Sequence, residues 1–174
     1  MDKVVFLDRD GVINIEKDYL HTIDDFEFVD GVFSSLAYLQ KLGYKFVIIT
    51  NQSGIGRGYY TLEQYQLLTN WMKEQFKQNN IEIAEVYCCP HAPNDNCECR
   101  KPNIGMIKQA SKILNIDYAK SWLIGDKDSD IQTAINANIE NTIQVRSGHK
   151  FNEKLSKADF IIDSIKDIPN IIKE

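Results

Sequence analysis

The sequence predicts an α/β domain with a mostly parallel sheet and helices on both of its faces. Three observations predict it. Short, fully apolar runs such as Val4–Leu7 and Phe46–Ile49 recur along the chain, as strands buried on both faces do. Between them lie segments with apolar residues at helical spacing, too long for hairpin connections. The polar residues that carry chemistry follow the ends of the apolar runs, where open parallel sheets bind ligands. At 174 residues the chain is most simply one domain, spanning 1–174, and long enough to bury a core without disulfides.

The elements follow in order. Val4–Leu7 is the first strand. Asp30 is placed to cap a helix that turns Val32, Phe33, Leu36, Leu39 and Leu42 to one face and stops at Gly43. Phe46–Ile49 is the second strand. Thr61 and Gln64 form a capping box for a long helix through about Lys77. Ala84–Cys88 is the third strand, and Pro102 marks the start of a helix to about Leu114. Trp122–Ile124 is the fourth strand and Asp128 to Ala137 a helix. Thr142–Val145 and Phe160–Ile162 complete the strands, and Ile165–Ile172 forms a closing helix.

Composition narrows the function. A net charge of −5 argues against nucleic acid as a partner, since a phosphate backbone needs a basic face. No apolar run approaches membrane-spanning length, and the opening residues do not read as a signal peptide. The expectation is a cytoplasmic protein with reduced thiols, acting as a monomer.

Four strand ends carry one kind of chemistry. They read Asp8-Arg9-Asp10-Gly11, then Thr50-Asn51-Gln52-Ser53-Gly54, then a cysteine loop ending in Arg100-Lys101-Pro102, then Gly125-Asp126-Lys127-Asp128-Ser129-Asp130. Phosphoryl transfer through an aspartyl-phosphate needs such a set. One carboxylate attacks phosphorus, and a second acid protonates the leaving oxygen and later activates water. A hard cation such as Mg²⁺ must separate the carboxylates from the phosphate dianion, and cationic and hydrogen-bonding groups stabilise the phosphoryl oxygens. Each motif alone has a plainer explanation as a turn, a surface charge or a helix cap. Asp130 falls in the first turn of a helix, where the dipole favours an acid; it is left outside the catalytic set, with a supporting role near Mg²⁺ as the alternative.

In that order, the four motifs resemble those of the haloacid-dehalogenase-superfamily phosphatases over nearly the whole chain. The resemblance implies a Rossmann-like domain in which Asp8 is the nucleophile and Asp10 the general acid/base. It implies that Thr50 and Asn51 bind phosphoryl oxygens, that Lys101 neutralises them, and that Asp8, the Asp10 backbone carbonyl and Asp126 hold Mg²⁺. The intervals Asp10 to Thr50 and Asn51 to Cys88 leave no room for the cap domain of larger members. A phospho-accepting signalling receiver would instead carry its acceptor Asp after the third strand, where this chain has the cysteine loop.

All four cysteines lie in or at the start of that loop, between positions 88 and 99. Cys89-x-His91 and Cys97-x-Cys99 offer three thiolates and an imidazole, a closed tetrahedral set of the kind that holds structural Zn²⁺. Free thiols, or a disulfide such as Cys89–Cys97, are the alternatives. Cys88 is the spare, assigned to the preceding strand. From Ala92 to Lys101 the loop has almost no apolar residues to hold itself by packing. A metal anchor would set Arg100 and Lys101 in place. The pattern resembles the zinc-bearing branch of the superfamily, which acts on small phosphorylated metabolites, sugar bisphosphates and histidinol phosphate among them. Asn51–Gly58 and Tyr19–Gly31 resemble the sugar-bisphosphate members, so a small phosphorylated sugar is the expected substrate. By the same resemblance Glu16, Lys17, Asp18, Tyr19, Thr50, Asn51, Gln52, Ser53, Arg100 and Lys101 line the substrate, and Lys127 sits beside Asp126. Arg57, Arg100 and Arg146 are the candidates for a second phosphate.

Overall fold

The computed structural model describes residues 1–174. Its strands are β1 (Lys3–Leu7), β2 (Tyr44–Asn51), β3 (Ile83–Cys89), β4 (Trp122–Gly125), β5 (Asn141–Val145) and β6 (Phe160–Ile162). Its helices are α1 (Val32–Lys41), α2 (Ser53–Gly56), α3 (Leu62–Gln78), α4 (Gly105–Ala110) and α5 (Asp128–Asn136). The six strands form one sheet in the order β3-β2-β1-β4-β5-β6, and every neighbouring pair is parallel. The chain therefore winds to one side of β1 and then crosses to the other. The switch point lies where β1 meets β4, the crevice in which such sheets bind ligands.

Period-two alternation in β1 builds the two layers. Val5 and Leu7 join Phe46 and Ile48 on the face covered by α1 and α3, through Leu36, Leu39, Leu68, Met72 and Phe76. Val4 and Phe6 join Val47, Ile49 and Leu123 on the opposite face, under Met106 and Ile107 of α4 and Ala134 of α5. Both faces are buried, so these strands read as unbroken apolar runs rather than alternating ones. No helix is long and apolar enough to cross a membrane.

Three elements depart from expectation. Asp30 does not cap α1. Gly31 holds the cap position at φ 83°, a left-handed conformation that glycine adopts freely, and the Asp30 carboxylate accepts from Lys166 Nζ at 2.8 Å. The helix expected from Pro102 starts only at Gly105 and ends at Ala110. Residues 100–105 are instead held in a loop: Asn103 N donates to Arg100 O at 2.8 Å and Gly105 N to Glu98 O at 3.0 Å. The closing helix is a 3₁₀ turn over Ile165–Asn170 containing Pro169, whose missing N–H cannot join an α-helical ladder. The capping box of α3 is present with both of its bonds.

Candidate active site

Asp8 extends β1 by one ladder bond, its N–H donating to Ile124 O at 3.0 Å. The chain then turns sharply. Arg9 O accepts from the amides of Val12, Ile13 and Asn14, and Gly11 N donates to Asn14 O. Gly11 sits at φ 90°, and a Cβ there would lie 2.7 Å from Asp126 Oδ2, so only glycine lets the turn approach β4 this closely. The turn places Asp10 beside a buried Arg9, whose Nη2 and Nε donate to Asp10 Oδ1 at 2.8 and 3.2 Å. Asn14 Nδ2 adds a bond to the same oxygen, and Gln52 Nε2 donates to Oδ2 at 3.0 Å. Burial pushes the Asp10 carboxyl up. The Arg9 charge and these donors outweigh it and leave the group below the usual carboxylate range.

Lys101 is the cationic centre. It is almost fully buried, and Nζ uses all three protons: to Asp8 Oδ1 at 2.8 Å, Ile49 O at 2.9 Å and Asp130 Oδ1 at 2.5 Å. Burial opposes its charge, but Asp130 and Asp8 more than offset that and raise its pKa. Its backbone is clamped by Asn51, which accepts from Lys101 N at 3.0 Å and donates to Lys101 O at 3.3 Å. The Asn51 side chain, expected on phosphoryl oxygens, spends both ends of its amide on the Lys101 backbone.

Asp126 is fully buried at the end of β4. Its Oδ2 accepts from His149 N and lies 2.7 Å from His149 Nδ1. Its Oδ1 is buried without a partner. Asp8, Asp126 and Asp130 bring carboxylate oxygens within 4.8 Å of one another. Three carboxylates against one ammonium leave an excess of two negative charges in a buried space. Burial and the charge of Asp130 push the Asp8 carboxyl well up, with Lys101 pulling the other way. A divalent cation matches the excess, and the orphaned Asp126 Oδ1 is an oxygen free to meet it. Asp130 spends Oδ1 on Lys101 and Oδ2 on the Lys127 amide, so it holds the cationic side chain rather than facing a metal. It belongs to the site, although its place in a first helical turn concealed this.

At the cysteine loop, Cys89 Sγ lies 3.5 Å from Cys97 Sγ, 3.5 Å from His91 Nδ1 and 2.8 Å from Cys99 Sγ, and His91 Nδ1 lies 3.2 Å from Cys99 Sγ. No disulfide forms, and Cys88 is outside the group. A zinc tetrahedron with arms of about 2.0–2.3 Å has edges of about 3.3–3.8 Å; the two 3.5 Å separations fall in that range and the Cys99 contacts are shorter, so the donor set fits Zn²⁺ in kind, with Cys99 drawn closer than a bound ion would hold it. The Cys97 thiol is brought down to about 7: burial works against the thiolate, but the Arg100 amide and neighbouring sulfurs favour it.

These elements border a cleft of about 240 Å³, small enough to suit one phosphorylated metabolite. Asp8, Asp10, Glu16, Asp18, Tyr19, Asn51, Gln52, Ser53, Arg100, Lys101 and Lys127 all line it, as does Arg57. Arg100 Nη1 is buried and unpartnered. Thr50 lies beneath, its Oγ1 accepting from Gln52 Nε2 at 2.8 Å. Lys17 is turned away, donating to Asp25 O at 2.8 Å. Arg146 lies outside the lining, pinned by Glu153 at 2.7 Å and Asp163 at 2.9 Å. Gly54 and Ser129, from the second and fourth motifs, Asp130, Tyr60 and His149 also line it; of these His149 alone was not singled out in the sequence. For His149, 23 residues beyond Asp126, there was no local signal to find.

A HAD-hydrolase-like family model matches residues 98–168. The D-glycero-beta-D-manno-heptose-1,7-bisphosphate 7-phosphatase of Haemophilus influenzae is 42% identical over 180 residues, covering 99% of this chain and 98% of the relative. Its Escherichia coli K12 namesake is 41% identical over 178 residues, covering 98% and 93%. The crystal structure of D,D-heptose 1,7-bisphosphate phosphatase from B. bronchiseptica, complexed with magnesium and phosphate, matches with a TM-score of 0.84 and 26% identity over 95% of each chain. The chain belongs to the haloacid-dehalogenase-like hydrolases, within the family of the heptose-1,7-bisphosphate 7-phosphatases.

Proposed function

We propose that the protein is a Mg²⁺-dependent phosphatase that removes the 7-phosphate from D-glycero-beta-D-manno-heptose 1,7-bisphosphate. The observation that carries the chemistry is the Lys101 cluster, with its excess negative charge and the free Asp126 Oδ1. The substrate rests on relatives about two-fifths identical over their full length that bear that name. Asp8 attacks the phosphorus in line and forms the aspartyl-phosphate, while Lys101 and the Asn51 loop stabilise the equatorial oxygens. Asp10 gives its proton to the leaving C7 oxygen and then takes one from the water that hydrolyses the intermediate. Free Asp10 is held as carboxylate by Arg9, Asn14 and Gln52, which suits the base step; the arriving phosphate dianion favours the protonated form for the acid step. Asp8, Asp126 and the Asp10 carbonyl would hold Mg²⁺, which supplies the charge that lets a carboxylate and a phosphate dianion meet. Cys89, His91, Cys97 and Cys99 would hold a structural Zn²⁺ that orders the segment leading to Lys101. With Arg146 engaged elsewhere, Arg57 and Arg100 are the cations left for the second phosphate.

Phosphate release with Mg²⁺ from heptose 1,7-bisphosphate and histidinol phosphate, side by side, tests this. A large kcat/KM preference for the heptose is expected; a preference for histidinol phosphate overturns the substrate. Asp8→Asn with near-normal turnover would refute the aspartyl-phosphate route.

A further inference from the structure

Two loops flank the open side of the cleft, residues 14–24 and 53–60, and they meet through aromatic rings. Tyr19 and Tyr59 pack edge to face, with centroids 4.7 Å apart and planes at 79°. His21 stacks on Tyr60, with centroids 4.9 Å apart and planes at 5°. Tyr60 is buried and donates its hydroxyl to Gln52 Oε1, tying the seam to the cleft floor. His21 Nδ1 lies 2.8 Å from Tyr19 O. Tyr19 itself sits at φ 56°, a left-handed conformation that a bulky aromatic adopts only when its surroundings impose it. The backbone strain is spent on putting one ring in one place.

That place is distinctive. The cleft lining is polar except for Tyr19 and Tyr60. Tyr60 is buried and Tyr19 is 44% exposed, so Tyr19 is the one aromatic residue of the lining open to a ligand. Tyr59 lies outside the lining; its ring meets the cleft wall at Tyr19, and its amide donates to Gly54 O at 2.8 Å.

We propose that Tyr59 is a specificity-determining positioning residue: it props the Tyr19 ring as a preset apolar wall, against which the C–H face of a sugar packs while its phosphate is held at Asp8. The inference rests on the phosphorylated-sugar substrate proposed above. A sugar has an apolar C–H face that gains dispersion contact and sheds water against an aromatic ring, and a ring already in place spares the cost of ordering it on binding. Acetyl phosphate has no such face.

Phosphate-release kinetics of wild type, Tyr59→Ala and Tyr59→Phe, with heptose 1,7-bisphosphate, fructose 1,6-bisphosphate and acetyl phosphate, provide the test. Tyr59→Ala should raise KM for the heptose about three- to tenfold, keep kcat within about twofold, and shift KM for acetyl phosphate by less than about twofold. Tyr59→Phe should behave as wild type, because the edge contact uses the ring and not the hydroxyl. An unchanged sugar KM in Tyr59→Ala, an equal rise for acetyl phosphate, or a Tyr59→Phe variant as impaired as Tyr59→Ala each overturns the inference. A wild type that favours fructose bisphosphate over the heptose refutes only the heptose assignment, and the Ala and Phe comparison on fructose bisphosphate then decides the wall. A wild type that treats all three substrates alike overturns both.

Discussion

Replacing Lys101 with methionine keeps an unbranched side chain, one atom shorter, and removes its charge. In the native cluster Nζ satisfies Asp8, Asp130 and the Ile49 carbonyl at 2.5–2.9 Å. Lys101→Met leaves three buried carboxylates with no cation among them. Removing one partner of a buried ion pair costs about 3–5 kcal/mol, because the other is stranded. In a chain of this size each kcal/mol moves the melting temperature by about 2–4 °C, so a fall of about 6–20 °C is expected in metal-free protein. Activity should fall by about a hundred- to a thousandfold in kcat, the usual cost of losing one charge-stabilising donor. The decisive control is Lys101→Met with Asp130→Asn, which restores the wild-type excess of two negative charges. It should recover at least half of the lost melting temperature while remaining inactive. Calorimetric melts and phosphate release read both. If the double variant melts no higher than the single one, the loss comes from packing and the charge balance described for the site is wrong.

Four further outcomes are expected. His149→Ala removes one of two bonds that hold Asp126 Oδ2 and should weaken Mg²⁺ binding about tenfold by calorimetric titration, as lost ligand-orienting bonds do. Arg57→Ala should raise KM for a bisphosphate while Arg146→Ala leaves it unchanged, since the latter side chain is committed to Glu153 and Asp163. Elemental analysis of reduced protein should find close to one zinc per chain, and stripping it should abolish turnover even with Mg²⁺ present. Thr61→Ala should cost about 1 kcal/mol by loss of the α3 cap, read as a lower melting temperature with kcat unchanged.

The strands and the four motifs were legible because their signals are local. Val4–Leu7 is apolar throughout since both faces of β1 are covered, and the acids stand directly after the strand ends. The Thr61 and Gln64 cap was legible for the same reason. What escaped depended on distant partners. Asp30 has the right chemistry for a cap, but Lys166, 136 residues away, claims it. Asp130 looks like an ordinary first-turn acid until Lys101 is seen 2.5 Å from it. Pro102 signals a helix start, yet carbonyls of the cysteine loop capture the amides that would begin it.

The convergence of Cys89, His91, Cys97 and Cys99 has a consequence for how such an enzyme changes over time. The four donors draw the loop together at its two ends and leave residues 92–96 outside the group, largely exposed and bonded mainly to themselves through Asp95 and Ala92. Those five residues take no part in holding Lys101. They can lengthen, shorten or change their chemistry while the cation stays where the reaction requires it. The tip of this loop, which adds no residue to the lining of the cleft, is free to drift without disturbing the Lys101 cluster.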